Sequence, residues 1–209
     1  MKIYDFPLSP NCRKVRAVVY ELGLTPTFVP VHLFKGEQHR PELAGLNPNE
    51  RVPVLVDGDF VLWESNAIVG YLAAGTRLLP DAARPRADVQ RWCDWELSLF
   101  GPAVRKVAFE RLVKPLTGRG PADPKVVEEG IADYRRLASV LETSLSNKAY
   151  VAGSLSTADF VLAAIFSIGT ADAVGLETAP FPRVHAWLGR MMERDAVRRA
   201  VADAAAVTR

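Results

Sequence analysis

Only two cysteines, Cys12 and Cys93, occur in the 209 residues. They are too few for a disulfide framework or a zinc site and sit in separate parts of the sequence, which leaves reactivity or plain packing for each. An excess of one charge is missing as well. Lys and Arg total 26 against 24 Asp and Glu, and residues 1–80 carry 8 of each sign, so there is no basic arm to track a nucleic acid. Long apolar runs are absent too. The longest uncharged stretch in the C-terminal half, residues 160–171, has twelve residues, short of the roughly 20 that span a bilayer. The first ten residues lack the basic start, apolar run and small-residue cleavage site of a signal peptide. The expectation is a cytoplasmic protein with no membrane or nucleic-acid partner and no bound metal.

What is present is a soluble composition, 49% hydrophobic and 24% charged, long enough for one large domain or two small ones. The chain falls into two halves of different pattern, without repeats or low-complexity tracts. Lys2 to Asp5 reads as a strand running into Pro7 and Pro10. Val15, Val18, Val19 and Leu22 then mark one helical face, with Gly23 just past its last turn. Thr27 to Leu33 reads as a second strand and Lys35 to Asn49 as a polar connection. Val52 to Leu62 reads as a β-hairpin about Asp57-Gly58, and Ser65 opens a helix through Ile68, Val69 and Leu72. This β-α-β, loop, β-β-α order fills residues 1–78. Leu79 to Ala87, rich in Pro, Ala and Arg, reads as a linker, and 88–209 as an all-helical domain. Val127, Ile131, Tyr134, Ala138, Leu141 and Leu145 line one helix of about six turns, and Val184, Trp187, Leu188 and Met191 another. Pro102 is expected to kink or interrupt the helix that runs from Val89 to Leu112.

Four local features bear on chemistry. In Leu8-Ser9-Pro10-Asn11-Cys12-Arg13, Ser9 and Asn11 sit at a helix N-terminus, where anions and thiolates are favoured; capping alone would also explain them. Val52-Pro53 leads a strand, and a cis bond there would need outside support, since only about 5–6% of X-Pro bonds are cis. Glu64-Ser65 opens a helix, where free N–H groups and a hydroxyl could hold a carboxylate while the Glu pairs with an ammonium; a capped helix with a solvated Glu is the alternative. Ser156-x-x-Asp159 has the form of a capping box and reads as structural.

In this order and spacing these residues resemble the cytosolic glutathione transferases over essentially the whole chain. The marks are Ser9-x-x-Cys12-Arg13, Asn47-Pro48 before Val52-Pro53, Glu64-Ser65, and Tyr150-Val151-Ala152-Gly153 leading to Ser156-x-x-Asp159. The serine form looks like the theta, delta and related bacterial branches. The resemblance implies an α/β thioredoxin-like N-terminal domain followed by an all-α domain, and a homodimer. It implies that Ser9, aided by Asn11, activates the glutathione thiol for attack on a small hydrophobic electrophile. It further implies that Arg51 and the Val52 backbone meet the cysteinyl part of glutathione, and that Glu64 and Ser65 take its γ-glutamyl end. Where relatives carry a His for the glycine end, this chain has Gln38, followed by His39. The electrophile is expected between the domains, over Leu8, the Phe34 loop and the helix around Trp95 to Val107, although Phe100, Val104 and Phe109 could equally be core. Two other readings share the architecture, a non-catalytic interaction module and a ligand carrier without turnover. A dithiol mechanism is disfavoured, because Ser9 replaces the first cysteine of the redox pair, and Cys12 is expected to be a packed core residue.

Overall fold

A computed structural model describes residues 1–166 and 174–207. The uncharged run read over 160–171 therefore lies within the described residues only as far as Phe166. The chain forms two compact units, Met1–Leu79 together with the segment from Met192 onward, and Pro80–Met191.

The first unit is built on four short strands, β1 (Lys2–Asp5), β2 (Thr27–Pro30), β3 (Val54–Asp57) and β4 (Phe60–Trp63), in the sheet order β2-β1-β3-β4. β1 and β2 are parallel, with Ile3 opposite Phe28. A parallel pair cannot be closed by a tight turn, and α1 (Pro10–Glu21) supplies the crossover. β1 is antiparallel to β3, and β3 to β4. In the hairpin Asp57 pairs with Phe60, so the loop is Gly58-Asp59, one residue later than Asp-Gly. Gly58 has φ 63° there, a conformation that costs glycine little. α3 (Ser65–Ala73) packs on α1, and Val15, Val18, Val19, Ile68 and Val69 are buried with Ile3, Val54 and Leu55.

Three boundaries differ from the sequence reading. The second strand ends at Pro30, and the chain turns through a 3-10 turn at Leu33–Lys35 instead of staying extended. The polar connection holds a further 3-10 turn at Glu37–His39 and a short helix, α2 (Pro41–Leu46), whose single buried side chain, Leu43, leaves no stripe to read. The helical domain expected to run to 209 instead gives its last helix, Asp195–Val207 (α10, after the helices named below), to the first unit. That helix packs on α1 and buries Ala196, Val197, Ala200 and Ala204, and polar links add to the packing: Arg16 on α1 joins the buried Asp5 at 2.5 Å and Asp203 on α10 at 2.6 Å, and Tyr20 also donates to Asp203. Just ahead of that helix, Arg194 pairs with Glu21.

The second unit is helical. One continuous helical path runs from α4 (Ala83–Trp95) through a π-type turn (Glu96–Phe100) into α5 (Gly101–Ala108), a second π-type turn (Phe109–Val113) and α6 (Lys114–Leu116). Pro102 thus does not interrupt the helix: it follows the wider π turn, which takes up the missing N–H and the bulk of the ring. Gly101 is needed beside it, because a Cβ would collide with the Glu96 carboxylate and carbonyl. α7 (Pro124–Ser144) begins where the Asp123 carboxylate accepts the Lys125 N–H at 2.9 Å and the Val126 N–H at 3.4 Å. Val127, Tyr134, Ala138, Leu141 and Leu145 of the expected stripe are buried. α8 (Thr157–Phe166) and α9 (Pro182–Met192) complete the unit. Phe100 stacks on Trp95 at 5.1 Å and touches Tyr134 and Phe166. With Val104 it is core, whereas Phe109 is partly exposed.

Of the Ser156-Asp159 box one half forms: the carboxylate reaches back to the Ser156 N–H, while the Asp159 N–H goes to the Ser156 carbonyl and the hydroxyl donates to the carboxylate. Asp159 is wholly buried, and its carboxylate accepts the backbone N–H groups of Ser156 (2.9 Å) and Val151 (3.0 Å), the Ser156 hydroxyl and the Trp187 indole N–H at 2.9 Å. Removing the carboxylate strands several buried donors at once, each costing about 1–3 kcal/mol. Asp159→Ala should therefore lose roughly 3 kcal/mol or more of stability in a denaturant titration, well beyond an exposed Asp→Ala control.

Candidate active site

The site begins where β1 runs out. The Ser9 N–H donates to the Phe6 carbonyl at 2.8 Å, closing a turn, and Pro10 takes the first helical position of α1, where its missing N–H costs nothing. Ser9 is the N-cap residue, extended at φ −72°, ψ 126°, and its carbonyl accepts the first helical bond from Arg13. Its hydroxyl, however, accepts no N–H from the helix. Capping is therefore not what this side chain does: the hydroxyl of this half-buried residue lies beside the Cys12 thiol, and the first N–H groups of α1 keep their capacity to meet an anion.

Two neighbours hold this turn. Arg13 is buried, and its guanidinium donates to the Leu8 carbonyl at 2.9 Å and the Pro7 carbonyl at 3.4 Å; burial draws its pKa down to about 10. Cys12 packs with Phe6, Val31, Leu43, Val52 and Val54, with Leu8 against them, and its sulfur accepts the Phe6 N–H. Burial, then the nearby Asp5 charge, push the Cys12 thiol well up. A thiol held protonated in an apolar cluster is neither nucleophile nor metal ligand.

The other expected residues fall in the same unit. Val52 is buried in the cluster that contains Cys12, and the Val52–Pro53 bond is cis. Arg51 is exposed, while its carbonyl is held by the buried Asn47 side chain at 2.8 Å, whose oxygen also accepts the Asn49 N–H. Gln38 and His39 are joined to each other at 2.9 Å and to this segment through the His39–Glu50 contact, so the 38–39 turn and the 50–52 strand entry form one surface. With the Gln38 amide donating to His39 Nε2, Nδ1 is left to donate to Glu50. Glu64, exposed, adopts φ 71°, a strained conformation for a residue with a Cβ and one found at ligand clamps. Ser65 is buried as the first residue of α3, and the Glu64 side chain makes no cap bond to that helix. Asn11 lies half-exposed in the first turn of α1 and forms no hydrogen bond to Ser9 among the described residues.

Sequence reasoning quoted Arg13 and Asn47 only as marks, and their roles appear in the backbone carbonyls they hold. No sequence signal announces that kind of bond.

Comparison with known proteins fits this geometry. Residues 1–74 match the family described as Glutathione S-transferase, N-terminal domain, and residues 102–195 match Glutathione S-transferase, C-terminal domain. The chain belongs to the glutathione S-transferase family. It is 36% identical to "Glutathione S-transferase 3" of Zea mays, over 97% of this chain and 93% of that protein. It is 34% identical to "Probable glutathione S-transferase GSTF2" of Oryza sativa subsp. japonica, over 93% and 92%. Among solved structures, maize glutathione S-transferase I in complex with an atrazine glutathione conjugate superposes with a TM-score of 0.89 at 30% identity, covering 97% of each chain. These curated relatives are plant enzymes, so they do not confirm the theta- or delta-like branch read from Ser9-x-x-Cys12-Arg13. As a transferase with a serine at the turn, this chain has its two thiols buried, Cys12 fully and Cys93 nearly so. Alkylation of the native protein at pH 7.5, read by intact mass, should leave Cys12 unmodified until denaturant is added; fast native labelling of Cys12 would reverse its assignment as inert.

Proposed function

We propose that this glutathione S-transferase binds glutathione against the first unit and uses the Ser9 hydroxyl to hold its sulfur as thiolate. The observation that carries the reading is a serine at an N-cap whose side chain leaves the helix uncapped. A free thiol with pKa near 8.5 is only about 3% ionised at pH 7, and lowering it by about two units takes roughly 2.7 kcal/mol. One charge-assisted hydrogen bond at a helix N-terminus is of that size. Ser9 is thus a donor and not a nucleophile. The thiolate sulfur forms the new bond to an electrophilic carbon, and the displaced group leaves with the bonding pair, or, in an addition, the adjacent carbon takes up a proton.

The remaining contacts follow from the chemistry of the ends. Ser65 and the first N–H groups of α3 suit the γ-glutamyl carboxylate, and Glu64 its ammonium. The Val52 backbone and Arg51 suit the cysteinyl part, Gln38 and His39 the glycine carboxylate, and Asn11 adds a polar contact near the sulfur. Within the first unit, Leu8 and the exposed Phe34, whose ring meets Phe6 edge-on at 5.5 Å, offer apolar surface to a small hydrophobic electrophile. The theta- or delta-like branch rests on the serine motif alone. A cytoplasmic location agrees with the absence, among the described residues, of any helix long and apolar enough to cross a membrane. Assembly as a homodimer is supported by the exposed, mutually packed rings of Phe60 and Tyr71 near the edge strand β4.

Ser9→Ala removes no cap bond, so the variant should melt like the parent while kcat/KM for conjugation falls by one to three orders of magnitude, about 1.4 to 4 kcal/mol. An unchanged rate would move thiol activation to Asn11. For the assembly, Phe60→Glu should shift a sedimenting dimer towards monomer; a parent protein that sediments as a monomer would refute the homodimer.

A further inference from the structure

The second unit carries a cavity of about 250 Å3 between α7 and the segment 174–181 that leads into α9. That is close to the lower end of the roughly 300–1,000 Å3 of small-molecule pockets, room for a molecule with one ring. Its walls are fixed from within. The Tyr134 hydroxyl donates to the Glu177 carbonyl at 3.1 Å, the Arg111 guanidinium to the Val174 carbonyl, and the Phe181 N–H to the Thr178 carbonyl at 2.8 Å. The Thr178 hydroxyl in turn meets His185 Nδ1 of α9 at 2.9 Å. The cleft is a preformed shape, not slack between a helix and a loose loop.

Tyr134, Pro180 and Phe181 give this cavity apolar surface, the two rings standing edge-on with centroids 6.3 Å apart. Arg135 and Arg136 line it from α7, and Glu177 from the facing segment. Arg136 is shared with Asp133 at 3.5 Å. Among the described residues, Arg135 and Glu177 form no ion pair, either with each other or with a third side chain. An anion alone would be drawn to Arg135 and repelled by Glu177, and a cation alone the reverse. A guanidinium and a carboxylate set apart beside apolar surface match a molecule that carries the converse pair, a carboxylate and an ammonium, on an aromatic ring.

We propose that this cavity binds an aromatic α-amino acid, its carboxylate on Arg135 with Arg136 beside it, its ammonium on Glu177, and its ring on the surface of Tyr134, Pro180 and Phe181. None of these residues takes part in the contacts assigned to glutathione, so the site is a second one, on the helical unit.

The test titrates the full-length protein calorimetrically with L-phenylalanine, with 3-phenylpropionate, which lacks the ammonium, and with 2-phenylethylamine, which lacks the carboxylate. S-hexylglutathione is present throughout to fill the site around Ser9. L-Phenylalanine should bind with a submillimolar Kd, and each comparator at least about tenfold more weakly. Arg135→Gln should lower the affinity for L-phenylalanine about tenfold without weakening the amine, and Glu177→Gln should lower it about tenfold without weakening the acid. Both side chains are exposed, so both variants should fold and keep the parent kcat/KM for conjugation. No binding of L-phenylalanine up to about 10 mM, equal binding of the three compounds, or binding of L-phenylalanine that both variants leave unchanged would each overturn the proposal. If 3-phenylpropionate binds as tightly as the amino acid and loses affinity in Arg135→Gln, the cavity is a plain anion site, and the proposal is wrong.

Discussion

A helix leaves its first N–H groups without intrahelical partners, and what the chain does with them sorts this molecule into scaffold and site. Where stability is at stake, the groups are satisfied from within: Asp123 caps α7 with its own carboxylate, and Asp159 gathers the donors around the start of α8. At α1 and α3 the cap residues are Ser9 and Glu64, and neither side chain is spent on its helix. Two positive helix ends are thus carried by one unit with side chains of the right chemistry beside them, one suited to a thiolate and the other to a carboxylate next to an ammonium.

Keeping those ends in place falls to residues with no part in the chemistry. Arg13 ties down the two carbonyls before Ser9, Asn47 holds the Arg51 carbonyl ahead of Val52, and Lys14 spans from α1 to the first turn of α3. Beneath them Cys12 joins the apolar cluster of Phe6 and Val52. Asp5 stays buried at the end of β1 with its carboxyl raised by burial, even though Arg16 lies against it. Arg16 in turn reaches Asp203 and holds the last helix to this unit. The polar groups inside the first unit form a frame around the turn that presents Ser9.

Periodic elements were legible in the sequence because burial writes itself into spacing. The α1 stripe, the hairpin and the long α7 face lie where apolar residues recur at the helical or strand interval. α2 escaped because it buries one leucine. The last helix packs with the first unit, which spacing could not tell: its small stripe of Ala196, Val197, Ala200 and Ala204 says that it is buried but not against what, and the Arg16–Asp203 link joins residues 187 apart. Of the two outcomes expected at Pro102, a kink or an interruption, the interruption does not occur, because a π turn ahead of it makes room. At the site, the residue types at Ser9, Val52, Glu64 and Ser65 could be picked out by motif and resemblance. That Ser9 does not cap its helix, and that Lys14 turns inward to Asn66, could not, since both are matters of side-chain direction that spacing does not encode.

The claim on which the rest turns is that Ser9 holds a thiolate. Titration of the ultraviolet absorbance of bound glutathione against pH, in the parent and in Ser9→Ala, measures this without any electrophile. The account predicts a bound thiol that ionises about two units below its solution value in the parent and returns close to that value in the variant. Glutathione that binds with its thiol pKa unshifted, or shifted equally in both proteins, would contradict it.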